Sequence, residues 1–220
     1  MMCKLVIFGT ALFAEVAYEY FTRDSEYEVV GFTVDCKYIS ESKKFDLPVV
    51  PFEEVEKVFP PEQVDMFVAI AYKRLNHLRE EKFRLAKAKG YSMATFKSSR
   101  ALIWEGVEIG EGCFILENNV IQPFVKIGCN TVLWSGNHIG HHSMIGDHCF
   151  IASHVVISGN VEVGDYTFIG VNATVGDGVH IAEENIIGAG TLILKNTAPK
   201  EVYAVKGTKP LKVSSDRFLR

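Results

Sequence analysis

Residues 103–198 read IWEGVE IGEGCF ILENNV IQPFVK IGCNTV LWSGNH IGHHSM IGDHCF IASHVV ISGNVE VGDYTF IGVNAT VGDGVH IAEENI IGAGTL ILKNTA, sixteen sextets without an insertion. The first place is aliphatic in every one, from Ile103 and Ile109 through Leu133 and Val163 to Ile193. The second is glycine in half of them, and the fifth is small or β-branched, from Val107, Cys113 and Asn119 to Thr191 and Thr197. An α-helix of period 3.6 cannot keep a six-residue stripe on one face, whereas short strands joined by tight turns can. The stretch therefore reads as a solenoid in which first-place side chains point inward and stack ~4.8 Å apart along the axis. Glycine beside them is expected to let the chain turn with unusual dihedrals and to let coils approach closely. With three sextets to a coil, residues eighteen apart are vertical neighbours.

This period and its unbroken run resemble the left-handed hexapeptide-repeat acyltransferases. The first hundred residues read differently. Lys4 to Phe8 is an apolar strand stopped by Gly9, and Thr10 to Ala17 follows as a helix. Glu28 to Val34 is a second strand ending at Asp35, which makes a βαβ unit with an acid after its second strand. Val49–Val50 reads as a short strand, 52–58 as a short helix and 64–70 as a third main strand. Residues 73–89 have helical spacing with Gly90 as the stop, and 92–96 form a last strand. The expected fold is an α/β N-terminal Rossmann-like domain, 1–98, followed by a left-handed parallel β-helix with a C-terminal tail, 99–220.

Taken whole, a small nucleotide-type domain before an uninterrupted solenoid resembles the bacterial nucleotide-aminosugar N-acetyltransferases and the related sialic acid O-acetyltransferases. The resemblance implies an acetyl-CoA-dependent N-acetyltransferase acting on a nucleotide-linked amino sugar, in the synthesis of surface glycan precursors, with acetyl-CoA as co-substrate and no metal. It implies a homotrimer with both substrates between subunits. It also implies nucleotide contacts at Gly9 with Thr10, at Asp35, and at Ala71 with Tyr72. A strand–glycine–helix start offers backbone N–H groups to phosphate, and an acid after the next strand can bond a sugar or base. Only the first glycine of the usual G-x-G-x-x-G is kept, since Gly9-Thr10-Ala11-Leu12-Phe13-Ala14 follows. A Cβ at Gly9 is expected to crowd the phosphate.

The chemistry is expected in Ser135 to His148, which holds four of the seven histidines. Acyl transfer needs a base for the acceptor's proton and a donor for the oxyanion, and histidine is the base for neutral pH. His142, His148 and His154 are fourth in consecutive sextets, so they fall on successive faces of a prism. His141 is third, and the residue eighteen on is Gly159, whose N–H has no side chain in its way. The family's base matches His141 and its oxyanion glycine matches Gly159. His138 is the reserve candidate. The family's base is usually followed by an acid, where this chain has His142; Asn160, over His142, or a backbone carbonyl is the expected orienting group instead. His148 and His154 read as exposed turn residues. The resemblance places the carrier along Phe150, Gly159, Val171 and Ala189, with Phe150 where a relative has an imidazole. Lys206 and Lys209, in the tail, either meet the carrier's phosphates or are simply solvated.

Composition narrows the alternatives. A formal net charge of −4 argues against nucleic acid as a partner, and no apolar stretch reaches membrane-spanning length. The amino terminus lacks a signal-peptide pattern, and five cysteines without a Cys-x-x-Cys point to thiols in a reducing cytoplasm. A sugar O-acetyltransferase stays open, because the residues do not separate amine from hydroxyl acceptors. A carbonic-anhydrase-like zinc enzyme needs histidines stacked two coils apart, which this stretch lacks. A non-catalytic scaffold would not need a nucleotide-type domain and a His–Gly stack. Apolar surface for subunit contact is expected from outer residues such as Val125, Trp134 and Met144.

Overall fold

The computed structural model describes residues 3–218. Its amino-terminal part is a five-stranded sheet: β1 (Cys3–Phe8), β2 (Tyr27–Val34), β3 (Lys43–Lys44), β4 (Leu47–Pro51) and β5 (Asp65–Val68), in the order β3-β4-β2-β1-β5. β1 pairs in parallel with β2 and β5, β2 pairs in parallel with β4, and only β3 runs antiparallel. Helix α1 (Leu12–Arg23) connects β1 to β2 and α3 (His77–Ala88) follows β5, with a single turn, α2 (Val55–Val58), between. The chain moves outward from β1 to β4 and then returns to the other side of β1. Gly9, Asp35 and Ala71 consequently all lie beyond the carboxyl ends of parallel strands.

Helix α3 begins four residues later than the spacing predicts. Arg74, Leu75 and Asn76 take left-handed φ values of 52°, 48° and 67°, so residues 73–76 form a turn. Residues 92–96, expected as one strand, are divided between two sheets. Met93 bridges to Met66 beside β5, and Phe96–Lys97 pairs with Phe114–Ile115 as the first strand of the solenoid.

From there the chain is a parallel β-helix. Each two-residue strand is the sixth place of one sextet and the first of the next, and each pairs with the strand eighteen residues on, as Val120 with His138 and Ile121 with Ile139. Face one holds seven strands from Phe96–Lys97 to Val202–Tyr203, face two six from Leu102–Ile103 to Leu192–Ile193, and face three five from Glu108–Ile109 to His180–Ile181. First-place residues from Ile115 to Ile193 are buried in a single core, together with the fifth-place Cys113, Val125, Cys149, Val155, Val161, Ala173 and Val179. Val125 thus points inward, contrary to its expected place on an outer surface, because the fifth place and the following first place both face the axis.

The second-place glycines do not make the turns either. Left-handed φ falls on the fourth place instead, from Gly106 through Asn118, His142, His148 and His154 to Gly190. At the second place glycine serves close approach alone: a Cβ on Gly140 would stand 2.5 Å from the carbonyl carbon of Ser158 in the coil above.

The outer, sixth-place residues give the three faces different characters. On face one Phe96, Phe114, Val132 and Phe150 are buried under the amino-terminal sheet and α1. Phe114 meets Phe67 at 5.1 Å and Phe21 at 6.0 Å between ring centres, and Trp134 meets Phe13 at 5.9 Å. Trp134 is therefore covered by the chain's own amino-terminal part. Face three carries Glu108, Lys126, Met144, Glu162 and His180, with ion pairs Lys126–Glu108 at 2.9 Å and His180–Glu162 at 3.0 Å. Face two carries Leu102, Val156 and Leu192, flanked by the second-place Trp104 and Leu194, all exposed.

Arg79 joins the two parts. Its guanidinium has no solvent exposure and bonds the carbonyls of Ala71, Asn130, His148 and Cys149 at 2.8–3.3 Å and Asn76 Oδ1 at 2.9 Å. Burial lowers its pKa to about 10, which leaves it charged at neutral pH. Among the described residues no helix is long and apolar enough to cross a membrane.

Candidate functional site

His141 sits in the third place, on the corner between faces two and three. Its backbone N–H donates to Gln122 Oε1 at 2.9 Å, and its exposed ring leans up against the next coil. A Cβ built on Gly159 would stand 2.6 Å from Cε1 and 2.8 Å from Nε2 of that ring. The imidazole thus occupies space that only a glycine above it leaves open. Gly159 N–H donates to no protein acceptor among the described residues, while its neighbours Ser158 and Asn160 donate to Val175 and His141. Gly159 is buried beside the exposed ring, and an N–H left without a protein acceptor next to an imidazole can meet an acyl oxygen where the ring takes up a proton.

His142 is the side chain in contact with the His141 ring. Its Nδ1 lies 3.2 Å from Nδ1 of His141, and its ring rests on Phe124 with centres 4.6 Å apart. When His141 Nδ1–H donates, the lone pair of His142 accepts and Nε2 of His141 is left unprotonated, as a base requires. Asn160 makes no side-chain hydrogen bond among the described residues, and neither it nor a backbone carbonyl, the two orienting groups expected, meets the His141 ring, whose contact is His142. His138 lies on face two, where only its backbone is bonded.

The other histidines of the stretch divide. His154 is exposed and covers Gly136. His148 is not the exposed turn residue expected: its Nδ1 meets Asn130 Nδ2 at 2.9 Å and its ring lies between Phe83 and Tyr166. Burial lowers its pKa. Among the described residues no group of three or more His, Cys, Asp or Glu is placed to hold a metal.

The residues matched to the carrier are dispersed within one chain. Val171 and Ala189 are third-place residues eighteen apart, stacked on the corner between faces one and two, and both are exposed. Phe150 is 3 % exposed, beneath the ring of Tyr72 at 5.2 Å and against Phe168 at 5.8 Å. It belongs to the seam with the amino-terminal part and offers a carrier no surface, because the sixth place of face one is covered. Lys206 and Lys209 are exposed in the tail.

At the amino-terminal sheet, Gly9 has φ +123° and a Cβ there would meet the Ala69 carbonyl oxygen at 2.9 Å. The glycine is required by its own neighbour, whatever lies above it. Asp35 Oδ1 holds Lys82 Nζ at 2.6 Å. Thr10 lines a cleft of about 140 Å³ with Ser40, Glu41, Lys43, Lys44 and Val49. Lys44 is paired with Glu15 at 2.7 Å, whereas Lys43 has no ion pair among the described residues. Tyr72 is 54 % exposed at the end of β5, and Ala71 beside it is fixed through its carbonyl by Arg79. Lys43 and Arg79 went unnoticed in sequence because neither falls in a glycine loop or at a repeat position.

Residues 124–159 and 160–195 match the family described as bacterial transferase hexapeptide (six repeats). No curated protein sequence matches the chain. Among solved structures, a His-to-Asn variant of perosamine N-acetyltransferase from Caulobacter crescentus, in complex with CoA and GDP-perosamine, is similar at 23 % identity, over 92 % of this chain and 93 % of that one, with a TM-score of 0.79. The acetyltransferase domain of PglB from Neisseria gonorrhoeae, in complex with acetyl coenzyme A, is 20 % identical over 94 % and 98 %, with a TM-score of 0.64. WeeI from Acinetobacter baumannii is 19 % identical over 86 % and 95 %, at 0.58. Residues 124–195 thus match hexapeptide repeats of that description, and over nearly its whole length the chain shares the fold of these proteins.

Proposed function

We propose that the chain is an acetyl-CoA-dependent N-acetyltransferase whose acceptor is an amino sugar linked to a nucleotide. The observation that carries the reading is the exposed imidazole of His141 against buried Gly159, whose N–H has no protein acceptor among the described residues. Supporting it are the fold's solved relatives, one crystallised with CoA and GDP-perosamine and one with acetyl coenzyme A. The division into a Rossmann-like unit and a left-handed β-helix with a C-terminal tail belongs to the same reading, with the boundary expected after residue 98 moved ahead of Phe96, whose strand pairs into the solenoid. The amino-terminal unit holds the nucleotide at the carboxyl ends of its strands, by Gly9 and Thr10, Asp35, and Ala71 and Tyr72.

In this mechanism Gly159 N–H receives the acyl oxygen as negative charge develops on it. The acceptor nitrogen attacks the thioester carbon, forming the C–N bond, and His141 Nε2 takes one of its protons. When the C–S bond breaks, the imidazolium returns that proton to the departing thiolate. His142 holds His141 in the tautomer that leaves Nε2 free. The carrier lies against Gly159 on one side and Val171 and Ala189 on the other.

Those two groups sit on opposite edges of face two, so one chain cannot bring them together. Packing the apolar face two of three copies around an axis sets the His141 corner of one copy against the Val171 and Ala189 corner of the next, and a three-fold ring closes. The homotrimer is therefore part of the proposal. We place the protein in the cytoplasm, where acetyl-CoA is at hand. The test is a panel of nucleotide-linked amino sugars with acetyl-CoA, read as free-thiol release and mass gain on the sugar. Release with at least one amino sugar and none with the nucleotide alone is expected; no release with any member overturns the reading.

A further inference from the structure

His141 is not the only side chain closing on Gly159. Asp177, third in its sextet and two coils above His141 on the same corner, brings Oδ1 to 2.9 Å from the point where a Gly159 Cβ would stand, while Nε2 of His141 is 2.8 Å from that same point. The two groups thus face each other across the glycine, from below and from above. Both side chains are exposed. Gly159 between them is itself buried, so two acceptors converge over one covered glycine.

From this geometry we infer that Asp177 recognises the acceptor nitrogen and makes the site select an amine over a hydroxyl. The inference rests on the transferase reading above and names which acceptor that site takes. Donor counting decides it. A neutral primary amine carries two hydrogens: one is given to Nε2 of His141, which removes it during attack, and the other is given to Oδ1 of Asp177, which keeps it in the amide product. The nitrogen lone pair is then left for the thioester carbon. A hydroxyl has a single hydrogen, and with that hydrogen directed to His141 its oxygen turns a lone pair onto the carboxylate. A carboxylate beside the oxyanion donor would also oppose negative charge there unless positive charge stands between. The nitrogen, which turns positive as it attacks, and the imidazolium that follows supply that charge.

Asp177 lies on the surface and bonds no structural group, so Asp177→Ala should fold normally, and circular dichroism checks that it does. The experiment compares kcat/KM for a nucleotide-linked amino sugar with that for the analogue carrying a hydroxyl in place of the amine, in the full-length protein and in Asp177→Ala. The expected result is a loss of about ten- to a hundredfold on the amine, a smaller loss or a gain on the hydroxyl analogue, and an unchanged KM for acetyl-CoA. An amine rate equal to that of the parent protein, or equal losses on both acceptors, overturns the role of Asp177 while leaving the transferase reading in place. Absence of transfer by the parent protein to every amino sugar overturns both.

Discussion

In the proposed mechanism three residues at the corner between faces two and three divide the chemistry, and each has its own expected outcome. A positioned base contributes roughly 10²–10⁴ in rate, so His141→Asn should lower kcat by about that factor with the coil intact, as steady-state assays and circular dichroism would check. His142→Asn should cost less, since an amide can still accept from His141 Nδ1; a loss as large as that of His141→Asn would move the base to His142. Gly159 has ordinary backbone dihedrals, so Gly159→Ala should fold, but its methyl would displace a ring atom now 2.6 Å from that position. A misplacement of this size costs about 10²-fold in kcat, with thermal stability unchanged. Gly9 is a different case: with φ at +123° and the Ala69 carbonyl against it, a larger residue there strains the sheet first. A change in KM after such a substitution would therefore not report a phosphate contact, and Thr10 or Lys43 is the better probe of the nucleotide cleft.

Among the elements, α3 is the most informative, because it delivers Arg79 and half-covers His148. The guanidinium has no carboxylate partner and is satisfied almost entirely by main-chain oxygens of the β5–α3 loop and of two solenoid coils. Removing it would leave several buried carbonyls unpaired, each costing about 1–3 kcal/mol. Arg79→Met should therefore destabilise the protein by at least ~3 kcal/mol in urea unfolding, and Arg79→Lys should recover only part of that. His148 adds a pH dependence with a definite sign. Its folded pKa is depressed by burial, so the unfolded ring takes up a proton first as pH falls below ~6.5. Stability is full above that value and declines below it until the folded ring is protonated as well. Replacing His148 with Asn should flatten that decline.

At the scale of the molecule, the three faces of one prism have been given three environments. Face one is apolar and covered by the chain's own amino-terminal sheet, face three is polar and self-paired, and face two is apolar and bare. Exposed Leu102, Trp104, Val156, Leu192 and Leu194 form a patch of the kind that marks an interface. On the proposed trimer, Val156→Glu together with Leu192→Glu should give monomers by light scattering and abolish transfer, although neither residue touches the reacting atoms. Monomers that stay fully active would show that the carrier is held within one chain.

How much of this was legible in the sequence follows from the range of the interactions. The solenoid is written in it because a strict period of six satisfies one local rule sixteen times over, and the eighteen-residue register that stacks Gly159 on His141 is arithmetic. The starts of the amino-terminal elements were read to within a few residues, except where three left-handed residues delay α3. What the sequence could not decide is which outer surface is covered. Phe150 and Trp134 read as exposed or carrier-facing positions, and only the docking of the amino-terminal part on face one covers them, Phe13 of α1 against Trp134 and Tyr72 and Arg79 against Phe150. Val125 read as surface because the repeat alone does not say that the fifth place turns inward with the first. Asp177 was overlooked for the opposite reason: its place in the column was legible, but that its carboxylate folds back over Gly159 depends on side-chain directions that only packed coils fix.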